Sequence, residues 1–286
     1  MEMIHAGLIL EGGGMRGAYT AGVLDYFMEK GMWFDHAYGV SAGACHLCSY
    51  ISKQPGRAIR IALNYLQEPY YCSFKSLMES GDLFNVDFNY NRVPNELDPY
   101  DYDTADKWPG KAYAVATNIE TGKAEYLPMT DTRHSITAVQ ASASLPLVSR
   151  NVEYEGKYYL DGGVADSIPL RRSLKDGNKK NIVVLTRPAG YRKKPQSISN
   201  AEMMLAKYPK YPNLRRAMHC RPYIYNKTLD LIERLEGEGR IVVLRPESLI
   251  QIERIEKDPK KLKILYLQGY HDAAMNLEVI RNYLEI

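Results

Sequence analysis

Ser41 stands in Gly39-Val40-Ser41-Ala42-Gly43, a Gly-x-Ser-x-Gly pattern between an apolar run and an alanine-rich stretch. A serine on such a strand-to-helix turn is held strained and exposed, and the flanking glycines remove the clashes that side chains would make. The helix that follows aims its N-terminus, where negative charge is favoured, at the same spot. This is the placement of an acyl-transfer nucleophile. A nucleophilic serine needs a proton acceptor. Asp161, opening Asp161-Gly162-Gly163 after another short strand, is a candidate, although Asp-Gly is also ordinary turn chemistry.

The run Gly12-Gly13-Gly14-Met15-Arg16-Gly17 lets consecutive backbone amides face one point, a geometry that holds an oxyanion or a phosphate. Gly12, Gly14 and Gly17 also satisfy the dinucleotide fingerprint Gly-x-Gly-x-x-Gly. That reading needs an acid at the end of the second strand; Asp35 has the approximate spacing but sits ahead of that strand. A P-loop is excluded because no Gly-Lys-Ser/Thr follows. An oxyanion hole for Ser41 requires the loop to lie beside the neighbouring strand's turn, where adjacent parallel strands would place it.

In this order, the glycine run, the serine turn and the distant Asp-Gly-Gly resemble the patatin-like phospholipase family over about residues 5–190. The stretch Ala141-Ser142-Ala143-Ser144-Leu145-Pro146 resembles the block that the family carries between serine and aspartate. The resemblance implies an α/β fold, a three-layer α/β/α sandwich with a mostly parallel central sheet. It implies a Ser41–Asp161 dyad without histidine, with Gly12, Gly13, Gly14 and Arg16 in the oxyanion loop. Gly17, Gly39, Gly43, Gly162 and Gly163 support those turns. It also implies cleavage of acyl esters of phospholipids, lysophospholipids or neutral lipids, with no metal or cofactor. One departure is Ser167, which stands two residues before Pro169 where many members carry Asn.

Other residues compete for attention. His46 lies five residues after Ser41 on the same helix, so its ring points away from the serine's tip. His134 has polar neighbours and nothing to place it. Cys45 and Cys48 have Cys-x-x-Cys spacing, but Cys72 and Cys220 form no second pair for a zinc site. Ser142 and Ser144 lie outside any glycine turn and read as turn and packing residues ahead of Pro146. Two other functions share part of the signal: a phosphate- or nucleotide-binding protein using the Gly12–Gly17 loop, and a catalytically quiet lipid-binding relative.

These residues need a scaffold. Strand, glycine turn and helix alternate twice before residue 52, which predicts a mostly parallel sheet covered by helices. Strands are expected over 6–10, up to 40, 111–117, 123–127, 158–160, 181–186 and 240–244. Helices are expected over 18–30 and 42–52, and a last one over 259–284. The 286 residues read as a single domain: a catalytic core over about 5–190, a basic Tyr/Pro-rich cap over 191–227, and a C-terminal strand and helix over 240–286.

The net charge of +3 conceals an asymmetry. Residues 171–227 hold 15 Lys and Arg against two acids. Cations contribute about 1 kcal/mol each near anionic headgroups, and Tyr suits the same layer. Two readings stand: a solvated face that keeps the protein soluble, or a cap that docks on anionic membrane with Lys207, Lys210, Arg215 and Arg216 as contacts. The nucleic-acid reading has the same charge signature but no recognisable fold, so no nucleic-acid partner is expected. The N-terminus lacks a basic region and a long apolar core, which predicts a cytoplasmic protein, peripheral to membrane at most.

Overall fold

The run Ile4–Leu10 forms strand β1, and its last five residues are all buried. Burial on both faces is what a strand covered by helices requires. The computed structural model describes residues 2–195, 197–247 and 252–286. After β1 come α1 (Ala18–Glu29), β2 (Phe34–Val40), α2 (Ala42–Ile51), α3 (Arg57–Asn64), α4 (Phe74–Ser80) and α5 (Tyr102–Asp106). The middle of the chain forms β3 (Lys111–Asn118), β4 (Ala124–Pro128), α6 (Thr132–Ala143), β5 (Val152–Tyr154), β6 (Lys157–Asp161), α7 (Leu170–Lys175) and β7 (Asn181–Val184). The rest forms α8 (Ile198–Lys207), α9 (Pro212–Gly237), β8 (Val242–Leu244), α10 (Pro259–Met275) and α11 (Leu277–Leu284).

One sheet runs β5-β6-β3-β2-β1-β7-β8, with β4 also paired to β3. Its centre, from β8 to β3, is parallel. The β4, β5 and β6 pairings are antiparallel. The chain therefore has an α/β fold with a mostly parallel central sheet flanked by helices, as expected. Successive strand residues face opposite layers. Leu8, Leu10, Ile182 and Val184 join the core under α1, α2, α6 and α10. Ile9, Tyr38 and Val183 join the core beneath α9, with its Leu229, Ile232 and Leu235. The chain leaves β1 toward β2 on one side and returns to β7 on the other. That reversal of strand order opens a crevice at the carboxyl ends of the strands.

The last helix is not continuous. It divides at Asn276, whose side chain donates to Asp272 O at 2.8 Å. Asn competes for backbone groups in this way and is a poor helix former. The apolar stripe survives the break, because Leu262, Leu265, Gly269 and Ala273 are buried on α10, as are Ile280 and Leu284 on α11. At Gly269 the backbone of α10 lies directly against Tyr19 O of α1, where a β-carbon would collide. Tyr19 Oη then donates to Asp272, and Tyr266 Oη to Asp25, both at 2.9 Å.

Candidate active site

Ser41 occupies the turn between β2 and α2 at φ 55°, ψ −120°. A residue with a β-carbon is held there at a cost of about 1–3 kcal/mol. Three hydrogen bonds hold the turn. Ala44 N and Cys45 N donate to Ser41 O at 2.9 and 3.1 Å, and Ser41 N donates to Ser142 Oγ at 2.9 Å. Ser142 Oγ in turn donates to Val115 O at 2.6 Å, which ties the turn to β3. Gly39 and Gly43 pack tightly beside it: a β-carbon would lie 2.6 Å from Ala44 N and 2.6 Å from Leu10 O, respectively.

The glycine loop reaches Ser41 because β1 and β2 are parallel, with Leu10 opposite Gly39, so the segments that follow them are neighbours. A β-carbon on Gly12 would stand 2.9 Å from Val40 O and 3.0 Å from Ser41 Cβ, so only glycine permits this approach. Among the described residues, no protein acceptor takes the Gly12 or Gly13 amide. Gly14 has φ 58°, and the next amide, Met15 N, donates to Arg254 O at 3.0 Å. Gly17 rests against His46 and Ala42. Arg16 is buried and directs Nη1 to Ile252 O at 3.5 Å, while its Nε has no partner among the described residues.

Asp161 arrives by a different route. On β3, Val115 is opposite Val40 and Ala116 is opposite Asp161. Consecutive β3 residues, about 3.3 Å apart along the strand, thus align the end of β2 with the end of β6. Asp161 is 3% exposed. Its Oδ1 accepts Gly163 N at 2.7 Å, and its amide donates to Ser144 O at 2.8 Å. Its Oδ2 has no partner among the described residues, and no hydrogen bond there joins it to Ser41 Oγ. Gly162 lies against Val115 O. Ser167, the departure from the family pattern, donates Oγ to Gly163 O at 2.7 Å and so serves the same turn.

Two cavities meet at Ser41. One, of about 170 Å³, is lined largely by apolar groups including Met15, Ala18, Ile59, Phe84, Tyr90 and Val139. The other, of about 50 Å³, is polar and contains Ser41, Asp161 and Gly12, Gly13 and Gly14. Gly14, Ser41 and Leu145 belong to both.

The rival residues lie elsewhere or are chemically quiet. Burial pushes His46 down to about 4, making it a poor proton acceptor, and its Nε2 has no partner among the described residues. His134 is exposed and stacks near Tyr154. All four cysteines are free, and burial raises the Cys45 and Cys48 thiols to about 12 and about 11. Asp35 accepts Ala6 N at the start of β1, the opposite end of the strand from the glycine loop. That position removes the acid required by the dinucleotide reading.

Sequence reading missed several residues here. Ser142 through its hydroxyl and Ser144 through its backbone carbonyl hold the turns at Ser41 and Asp161; the Ala141–Pro146 block was the available signal. Glu11, 2% exposed, accepts Thr186 N at 2.6 Å, Thr186 Oγ1 at 3.0 Å and Tyr225 Oη at 2.6 Å. Arg187, Lys193, Arg221 and Arg254 also line the polar cleft. The expected docking cations do not line it. Lys207 donates to Leu147 O at 2.9 Å and Ser149 O at 3.4 Å, and Lys210, Arg215 and Arg216 make no ion pair among the described residues.

The chain is similar to several known proteins. A family model described as patatin-like phospholipase matches residues 8–173, and a domain of unknown function, DUF6363, matches residues 211–285. The uncharacterized protein YjjU of Escherichia coli strain K12 is 30% identical over 243 residues, covering 84% of this chain and 68% of that protein. A probable lipid hydrolase, 463L, of Invertebrate iridescent virus 6 is 26% identical over 192 residues, covering 61% of this chain and 65% of that protein. Among solved structures, VipD from Legionella pneumophila aligns with a TM-score of 0.48 and 14% identity, over 96% of this chain and 67% of that one.

Proposed function

The chain belongs to the patatin-like phospholipase family, and from that premise we propose that it is a lipid acyl hydrolase acting through Ser41 and Asp161. The family and the viral relative support lipid hydrolysis in general. The observation that carries the finer reading is the convergence of two features on one cleft: a strained serine and a buried carboxylate with an unpartnered oxygen.

In this reading Ser41 Oγ attacks the acyl carbonyl and passes its proton to Asp161 Oδ2. The Gly12 and Gly13 amides take the oxyanion, a contribution worth about 10²–10³ in turnover per donor. Collapse expels the alcohol, which recovers the proton from Asp161. Water then attacks the acyl-serine, the same carboxylate accepting its proton and passing it to Ser41 Oγ as the acid leaves. The apolar cavity takes the acyl chain. No step calls on a metal or cofactor. A fluorophosphonate probe is expected to form one adduct, mapping to Ser41 by peptide mass; a protein left unlabelled at Ser41 would refute the activated serine.

We read residues 1–286 as one functional unit, because the second matched region supplies α10, packed on α1, and Arg221 and Arg254 at the cleft. Among the described residues no helix is long and apolar enough to cross a membrane. Access to lipid is assigned to α8 and α9. Met203, Leu205 and Tyr223 are exposed on these helices, which also carry Lys207, Arg215 and Arg216, with Lys210 between them. Reversing charge at Arg215 and Arg216 (R215E/R216E) is expected to lower activity on anionic vesicles severalfold more than on a soluble short-chain ester. Equal loss on both would remove the docking role.

A further inference from the structure

The polar cleft holds more positive charge than the proposed ester chemistry needs. Four segments far apart in sequence deliver it: Arg16 from the glycine loop, Arg187 and Lys193 after β7, Arg221 from α9, and Arg254 before α10. Opposing them are two carboxylates, Glu11 and Asp161. Glu11 already accepts three hydrogen bonds, from Thr186 and Tyr225. Among the described residues none of the five cations forms an ion pair. Arg16, only 9% exposed, and Arg221 each keep a buried Nε without a partner.

Such crowding is costly. Burial, then Arg187 and Arg254, lower Arg16 to about 10, and burial with Arg254 nearby lowers Arg221. Burial, then Arg221, pull Lys193 well below its usual value. Buried cations left uncompensated destabilise a fold unless an anion joins them. Guanidinium forks match phosphate oxygens in pairs.

The cleft also shows what it rejects. A quaternary ammonium would meet five cations here. Among the described residues of the cleft the one free carboxylate oxygen, on Asp161, is the one that takes the serine proton, and an open aromatic face would be needed to hold the ammonium. One face of each of the two tyrosines here is already covered by the protein's own cations, Arg187 over Tyr191 at 4.4 Å and Lys193 over Tyr225 at 3.9 Å. The apolar cavity meets the cleft at Ser41, so acyl chain, ester and phosphate would follow one another past the nucleophile.

We propose that this cleft binds the phosphate of acyl substrates whose headgroup carries no cation, phosphomonoesters above all, and thereby sets the substrate class processed at Ser41. The proposal rests on the acyl-hydrolase reading for its chemistry but not for its binding. Calorimetry with glycerol 3-phosphate, inorganic phosphate and 1-hexanoyl-glycerol 3-phosphate tests binding on the full chain. Initial rates on 1-hexanoyl-glycerol 3-phosphate, its phosphocholine counterpart and p-nitrophenyl butyrate test selection. The phosphomonoester is expected to exceed the phosphocholine in kcat/KM by about 10-fold or more. Arg187→Gln and Arg254→Gln, the latter at an exposed position that tolerates change, should each lower phosphate affinity about 10-fold. Each should also lower the phosphomonoester-to-butyrate ratio by a similar factor. Butyrate turnover without phosphate binding would overturn the cleft assignment and leave the hydrolase reading standing. Phosphate binding without cleavage of any ester would support the cleft and overturn the hydrolase reading. Inorganic phosphate binding as tightly as the acylated ligand would make free phosphate the ligand and overturn the headgroup assignment.

Discussion

Ser41→Ala will lower turnover of p-nitrophenyl butyrate by about 10⁴-fold or more, the scale seen when a serine nucleophile is removed. The expectation follows from geometry. The turn is held by Ser41's backbone amide and carbonyl, through Ser142, Ala44 and Cys45, and not by its hydroxyl. Removing Oγ therefore takes away the attacking atom and leaves the turn's own bonds in place. Circular dichroism and the urea midpoint should match wild type, and the fluorophosphonate adduct should vanish with the activity. Residual activity above a few per cent, with the fold intact, would assign the nucleophile to another residue.

Asp161→Asn will cost about 10²–10⁴-fold in turnover, the usual weight of a positioned general base. The substitution is nearly isosteric. The amide oxygen can still accept Gly163 N, as Oδ1 does now at 2.7 Å, so the turn is retained. What disappears is the anionic oxygen with no partner among the described residues, the one available for the serine proton. The variant will also be less stable, because burial lowers the Arg221 pKa and Asp161, with Glu11, acts against that in a cleft otherwise dominated by like charge. Turnover must therefore be measured where urea titration shows the variant fully folded. Full activity under that condition would transfer the base role to water or to another group, and would remove the dyad.

The two substitutions separate position from chemistry. Ser41 lies at a strained backbone point, where an alanine of similar size keeps the same cost. Asp161 lies where charge balance is local, so its loss is felt by the cations across the cleft. A site assembled from strain and from uncompensated charge is expected to be less stable than a core of the same size.

Much of this was legible in the residues themselves. Strand, glycine turn and helix are written in local chemistry, so the turns at Gly12–Gly17 and Gly39–Gly43 and the first two strands emerge from spacing alone. The same locality explains the error at the C-terminus. The stripe from Leu262 to Leu284 continues through Asn276 with the right period, and only the side chain's bond to Asp272 O shows the break.

By itself, then, the chain's sequence determined which residues were able to react and which family frame would hold them, because glycine turns and apolar periodicity act over a few residues. Tertiary structure decided the rest. The neighbouring partners of Val40 and Asp161 on β3 align turns 120 residues apart in the chain. A long-range pairing of this kind leaves no mark on either segment. Nor does the basic stretch reveal which cations face water and which face Ser41. Arg216 is exposed, while Arg221, five residues further along α9, lines the cleft, and a cation has the same chemistry in both places. Only the packing of α9 across the sheet separates them.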